Sequence, residues 1–164
     1  MVAPQPKDPD TVVAPPENPK SGAVVSTLTS TIGAIDTPVK IAVGPDGSIY
    51  ATAKDSHKIH KIAADGAIST WGTGSASTIP VNGPCASATF NQPEAIAVDK
   101  DGNVYVGEKS FIRKITPACE VSTLAGNFIQ ASFHWPQDVA VNAQSVIYVA
   151  DTANHRIRKI TPAD

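Results

Sequence analysis

The feature that most constrains this chain is a sequence pattern that occurs three times. In its last copy, three short segments rich in Val, Ile and Tyr are separated by polar residues; they are 136–141, 146–150 and 151–162. Such segments predict β-strands joined by turns. Matching segments occur at 93–99, 103–106 and 112–117, and again at 38–43, 48–50 and 58–62. A strand group that is repeated in this way, and too small to bury its own faces, predicts a stacked array of sheets.

A fourth segment completes the repeat. Residues 121–124 read Val-Ser-Thr-Leu, residues 68–71 are nearly the same, and both follow the third segment after a turn. They are therefore predicted to be fourth strands that pair with the third strands in hairpins. Because residues 24–28 carry the same sequence, we predict a further strand there. The complete groups span 35–72 and 90–126, and the last group has three strands within 133–162.

The longest motifs in the chain lie at 90–106 and 150–162. Residues 90–106 contain an aromatic residue and a proline, followed by Ile-Ala-Val-Asp and Asn-Val-Tyr-Val. Residues 150–162 contain Asn-His-Arg-Ile-Arg-Lys-Ile-Thr-Pro. This pattern resembles the NHL repeat and covers residues 24–164. The first copy departs from it, with Lys40 in place of a glycine and with Gly44 and Ala53 in place of aspartates. The resemblance implies an all-β fold, namely three four-stranded antiparallel blades that form half of a six-bladed β-propeller.

Composition agrees with many short strands and sets limits on function. Charged residues make up 17% of the chain, with 11 Gly and 14 Pro. The Pro-rich residues 1–23 are predicted to be a disordered tail or linker. The formal net charge of −2 gives no electrostatic case for a nucleic acid partner. We expect neither a signal peptide nor a membrane span in this sequence, and the compartment stays open, with an extracytoplasmic location possible for a longer exported protein.

Three blades alone leave a physical problem. Propellers close with about four to eight blades, so the first and third blades would each expose an apolar face. Two solutions remain open from the sequence. In one, a homodimer closes a six-bladed ring and residues 24–28 complete the last blade of the partner. In the other, further repeats belong to a longer chain.

The resemblance implies candidate ligand contacts where the first strand of each blade begins, at the mouth of a central channel. These candidates are Lys40, Glu94, Gln137 and Asp138. Glu94 and Asp138 have the chemistry to act as an acid–base pair or to hold a cation. Loops on the top face add a second set of candidates: Lys54, Asp55, Glu108, Lys109, Asp151 and Asn154.

Other polar residues have a structural interpretation. Asp151 and Asn154 fit a turn that binds its own backbone, and His57 and His155 fit hydrogen bonds between blades. The basic segments at 156–159 and 113–114, together with Lys58 and Lys61, fit a strand near the rim of each blade whose long basic side chains extend to water. Cys85 and Cys119 are predicted to be unpaired, because their loops were placed on opposite faces of the blade.

The function predicted from these observations is a non-enzymatic binding or assembly scaffold. Its loop face would engage a protein, a peptide or a glycan. One alternative is a lactonase-like hydrolase or lyase with a metal in the channel, and another is an RNA-binding NHL module. No cofactor and no metal site are predicted, because no His, Cys or carboxylate cluster has the spacing of metal ligands.

Overall fold

The computed structural model of the chain describes residues 24–28, 34–75, 79–127 and 133–161. The chain divides into two units, 1–30 and 31–164. The described residues of the second unit form twelve β-strands and one short 3-10 helix, and all strand pairs are antiparallel. Within the described residues, no helix is long and apolar enough to cross a membrane.

Three sheets follow one another along the chain, and each is a blade. The first blade has four strands in sequence order: β1 (Pro38–Val43), β2 (Ile49–Ala53), β3 (Lys58–Ile62) and β4 (Ile68–Trp71). The second blade has the order β5-β9-β8-β7-β6. Its strands are β5 (Gly83–Pro84), β6 (Ala95–Val98), β7 (Val104–Glu108), β8 (Phe111–Ile115) and β9 (Glu120–Gly126). The predicted four-stranded antiparallel blades are thus confirmed, and the second blade has an additional short strand.

The third blade has three strands, β10 (Pro136–Val141), β11 (Ile147–Asp151) and β12 (Arg156–Ile160). The 3-10 helix Thr152–Asn154 connects the last two. Residues 24–28, for which a strand that completes a last blade is predicted, have no regular secondary structure in the single chain, and their pairing with a partner copy stays a prediction. The side chains of Val24 and Leu28 are 90% and 62% exposed.

Tight turns join the first two strands of each blade. Gly47 and Gly102 have φ values of +78° and +80°, which glycine adopts without steric cost, as the Asp-Gly sequences predict. In the second blade, Asp99 accepts hydrogen bonds from the backbone of Asp101 and Asn103 and from the Tyr105 hydroxyl. Burial opposes ionisation of Asp99, but these bonds and one from the Asn103 side chain lower its pKa below the ordinary value.

The hydrophobic core lies between blades and not within them. One cluster joins Tyr50 and Ile59 of the first blade to Ile96 of the second. Another joins Ala97 of the second blade to Val139 of the third. Neighbouring residues Ile96 and Ala97 thus face opposite cores. Because the middle blade is covered on both faces, its strands are apolar at successive positions.

The long connection before β6 corrects the prediction for the cysteines. Cys85 and Cys119 form a disulfide, with Cα atoms 5.3 Å apart. The reason is the additional strand β5, which pairs along β9 and brings this connection down the outer edge of the second blade. The Cys85 amide also donates to the Cys119 carbonyl at 2.9 Å. The loops therefore do not lie on opposite faces, as the sequence analysis had assumed.

Candidate functional site

The inner strands of the three blades begin with the same backbone conformation. The residue before each first proline has a positive φ, which is +32° at Thr37, +50° at Gln92 and +53° at Trp135. The repeated kink gives the following residues equivalent positions in each blade. At this end, Lys40 of the first blade and Asp138 of the third come within 3.7 Å, although both side chains are largely exposed. The predicted channel-mouth residues Lys40 and Asp138 are therefore brought together.

Trp135 lies three residues before Asp138 in the sequence and was missed by the sequence analysis. Its ring lies under two lysines, with Lys54 Nζ 5.1 Å and Lys109 Nζ 5.8 Å from the ring centroid. The Trp135 amide donates to the Lys109 carbonyl, which fixes the tryptophan against the second blade. A signal was available, because Trp135 precedes a proline where the other blades have Thr37 and Gln92.

Glu94 joins the same cluster through an ion pair with Lys54. Its side chain is 12% exposed, so solvent screens this pair less than an exposed one. Glu94 and Asp138 are therefore each paired with a lysine. The described residues contain no group of three His, Cys, Asp or Glu side chains that is arranged to hold a metal ion. The predicted Gln137 is exposed beside Asp138.

We call this group of residues the channel-mouth cluster. Its members come from all three blades and carry three lysines, two carboxylates and one half-buried indole. They make two groups of contacts: Lys40 with Asp138, and Trp135 with Lys54, Lys109 and, through Lys54, Glu94. Lys109 is exposed and has no ion pair among the described residues. The cluster therefore presents one open cation beside an aromatic surface.

Two top-face candidates are not exposed and cannot meet a ligand from outside. Glu108 is buried, and it accepts from Arg113 Nη1 at 3.0 Å and from the Asn91 amide at 2.7 Å. Burial raises the pKa of Glu108, while the Arg113 charge opposes that rise. Asp151 occupies the equivalent place in the third blade and is also buried.

The partners of Asp151 repeat those of Glu108. Asp151 accepts from the His134 amide at 2.7 Å, from the Asn154 amide group at 2.9 Å and from Arg158 at 3.2 Å. Asp151 and Asn154 therefore have a structural role in the turn, but through a bond between their side chains and one to the backbone of His134, and not through the turn's own backbone as predicted. Asp55 and Lys109 remain exposed on this face.

The basic side chains of the third strands are thus not all directed to water. Arg113 is fully buried, lies 5.7 Å from the Phe90 ring and donates to the carbonyl of Thr89 at 2.8 Å. Arg158 lies 5.0 Å from the equivalent Phe133. The prediction of a rim strand with extended basic stems was wrong for Arg113, because Glu108 supplies a buried counter-ion.

The first blade lacks this ion pair. Ala53 replaces the carboxylate and His60 replaces the arginine, and both residues are buried. His60 Nδ1 lies 3.0 Å from the Thr70 hydroxyl, whereas its Nε2 has no partner among the described residues. Burial lowers the pKa of His60 below 6.5, and Asp36 partly opposes this shift.

His57 makes the contact between blades that the sequence predicted. Its Nδ1 accepts the backbone N–H of Gln92 in the second blade at 3.1 Å. His57 ends the turn between the second and third strands with φ +58°, and His155 ends the corresponding turn with φ +54°.

Comparison with known proteins identifies the class of repeat. Residues 133–160 match the family described as NHL repeat, and the resemblance predicted from the sequence is therefore confirmed, with the third blade carrying the match. Residues 89–110 match the family described as strictosidine synthase-like, N-terminal. Teneurin-3 of Mus musculus is 30% identical over 96 aligned residues, which cover 48% of this chain and 4% of Teneurin-3.

Solved structures confirm the β-propeller fold class. A structural genomics protein of unknown function from Bacteroides thetaiotaomicron superposes with a TM-score of 0.59 and 26% identity, over 70% of this chain and 32% of that one. An auxiliary nutrient binding protein of the same organism has a TM-score of 0.59 and 19% identity, over 73% of this chain and 36% of that one. Virginiamycin B lyase from Staphylococcus aureus has a TM-score of 0.51 and 19% identity, over 77% of this chain and 42% of the lyase. This chain spans less than half the length of each.

Proposed function

We propose that the chain is a binding module whose channel-mouth cluster takes the acidic group of a peptide, protein or glycan ligand. The observation that supports this most is the contact of the Trp135 ring with the ammonium groups of Lys54 from the first blade and Lys109 from the second. An indole offers an apolar surface with little conformational entropy to lose, and a neighbouring ammonium group binds carboxylates.

The charges of the cluster favour an anionic ligand over a cationic one. Lys54 is neutralised by Glu94, and Lys40 lies near Asp138, so Lys109 contributes the uncompensated charge. A carboxylate placed beside Lys109 would form an ion pair at the edge of an aromatic surface. The auxiliary nutrient binding protein shows that a related fold serves in binding, which is consistent with this proposal.

The alternatives have less support in the arrangement of residues. A metal-dependent hydrolase or lyase needs several converging ligands, whereas Glu94 and Asp138 each contact a lysine. RNA binding needs an open basic surface, whereas Arg113 is buried and Arg158 pairs with Asp151. The lyase among the structural relatives shares the fold at 19% identity, and no residue of the cluster argues for its chemistry.

The test is titration of the purified chain with matched acidic and neutral probes. The probes are tri-galacturonic acid with a neutral trisaccharide, and a short glutamate peptide with its glutamine counterpart. Binding is followed by calorimetry and by tryptophan fluorescence. We expect one acidic probe to bind and Lys109→Gln to weaken it about tenfold or more, the usual effect of losing a charge-assisted hydrogen bond.

Lys100→Gln is the matched control, because Lys100 lies in the turn between β6 and β7 and pairs with Asp101. It should bind as the unaltered chain does. Equal affinities for the acidic and neutral probes would contradict the proposal, and so would an unchanged affinity in Lys109→Gln.

A further inference from the structure

The outward face of the third blade carries the same side chains that the other two blades bury. Ile59 and Ile112 occupy one position of the third strand and are both 0% exposed, whereas the equivalent Ile157 is 75% exposed. Tyr148 is 40% exposed, and its equivalents in the first two blades are 5% and 3% exposed. This face therefore has the composition of a blade-to-blade interface without a blade packed against it.

The first blade exposes the complementary face. Ile96 and Val139, on the inner strands of the second and third blades, are 5% and 6% exposed because each packs against the preceding blade. The equivalent Ile41 is 66% exposed, and Val43 on the same side of β1 is 64% exposed. The two exposed faces are thus the two halves of the interface that already joins the blades.

The interface between the first two blades also contains a hydrogen bond, and both of its partners have equivalents on the exposed faces. Between the first two blades, His57 Nδ1 accepts the N–H of Gln92 at 3.1 Å. The acceptor position in the third blade is His155, which is exposed and has the same left-handed backbone as His57. The donor position in the first blade is Thr37, which has a positive φ as Gln92 does. One chain therefore carries both the acceptor and the donor of a further contact.

We propose that the partner on these faces is a second copy of this chain. The third blade of each copy packs against the first blade of the other, and His155 Nδ1 accepts the N–H of the partner subunit's Thr37. The two contacts are related by a two-fold axis, so the assembly closes and leaves no face exposed. Two sets of three blades fall within the range of about four to eight blades that propellers use.

The proposed contact has a neutral pair where the first interface has an ion pair. Lys54 and Glu94 pair across the first interface, and Thr152 and Val39 occupy the equivalent positions at the proposed contact. No like charges meet at this pair of positions. The assembly also doubles the channel mouth, since Lys40 and Asp138 of both copies would surround the same axis. This proposal concerns assembly and does not rest on the identity of the ligand.

Light scattering after size exclusion tests the proposal with substitutions of exposed residues. The unaltered chain should have twice the 17.0 kDa mass of one copy. Ile157→Glu and Ile41→Glu should each be monomeric, because either change damages both contacts of the pair. Ile79→Glu is the control, since Ile79 is 65% exposed and lies between β4 and β5, outside the strands that form the two faces. It should remain dimeric.

Mixing the two monomeric variants makes the test specific for the proposed pairing. The Ile41→Glu chain keeps an intact third-blade face and the Ile157→Glu chain keeps an intact first-blade face. An equimolar mixture should therefore form a heterodimer through one contact, which also shows that both variants are folded. A dimeric Ile41→Glu protein would overturn the proposal, because it would require contact between like faces. A monomeric unaltered chain would overturn it as well.

The His155 contact has its own measurement. His155→Ala should raise the dimer dissociation constant roughly tenfold to a hundredfold, because each dimer loses two hydrogen bonds and each bond has a usual net effect of roughly threefold to tenfold. Lys100→Gln, in the turn between β6 and β7 of the second blade, should leave it unchanged. An unchanged dissociation constant in His155→Ala would overturn the assigned contact.

Discussion

Replacement of Arg113 by Met should destabilise the second blade more than any similar change at an exposed residue. Arg113 is fully buried, and its guanidinium binds Glu108, the carbonyls of Thr89 and Val81, and the Asn82 side chain. Met fills similar space but leaves the Glu108 carboxylate buried without its counter-ion. Breaking a buried ion pair from one side costs about 3–5 kcal/mol, a large part of the stability of a single domain.

The third blade supplies the matched control. Arg158 is 31% exposed and makes one hydrogen bond to Asp151, which keeps the His134 N–H and the Asn154 amide as further donors. Arg158→Met should therefore cost only about 1–2 kcal/mol, because water and these donors replace the lost contact. The two variants make the same chemical change at equivalent positions and differ in burial.

Urea unfolding with the disulfide intact, followed by tryptophan fluorescence, measures both changes. Adding Glu108→Gln to Arg113→Met should recover at least about 1 kcal/mol, because the unpaired charge disappears while an acceptor for Asn91 remains. Equal losses in Arg113→Met and Arg158→Met would refute the reasoning. A double variant less stable than Arg113→Met would refute it too.

Further predictions concern the disulfide and two titrating groups. Replacing both Cys85 and Cys119 with Ser should lower the free energy of unfolding by about 3–4 kcal/mol, since the bridge joins residues 34 apart, and urea unfolding would contradict this by showing no loss. Burial lowers the pKa of His60, so its contribution to stability is lost as pH falls below 6.5, and His60→Gln should flatten the pH dependence of unfolding in that range. Asp99 also has a lowered pKa, so the stability that its carboxylate provides is lost as pH falls below 3.8. The free energy of unfolding of Asp99→Asn should therefore fall less steeply with decreasing pH, and the same slope as in the unaltered chain would exclude this role of Asp99.

The repeat pattern was enough to predict the positions of the strands and the tight turns, because local sequence determines both. It was also enough to place Lys40 near Asp138, since equivalent positions in a repeated fold meet around one axis. The hydrogen bond of His57 to the next blade was predicted in the same way, from the position that His57 shares with His155 in the repeat.

The features that were missed depend on contacts between residues far apart in sequence. The disulfide requires β5, a two-residue strand that has no periodic signal. The burial of Arg113 depends on Glu108, which was taken for a loop residue. The contact of Trp135 with Lys54 could not be predicted, because Lys54 belongs to another blade and lies far from Trp135 in the sequence.

Hydrogen–deuterium exchange at the Thr37 amide tests most directly whether the exposed faces are halves of one repeated interface. If they are, this amide should be protected at high protein concentration, as that of Gln92 is expected to be through His57, and should lose protection on dilution. Rapid exchange of Thr37 at every concentration, with Gln92 protected throughout, would contradict the account.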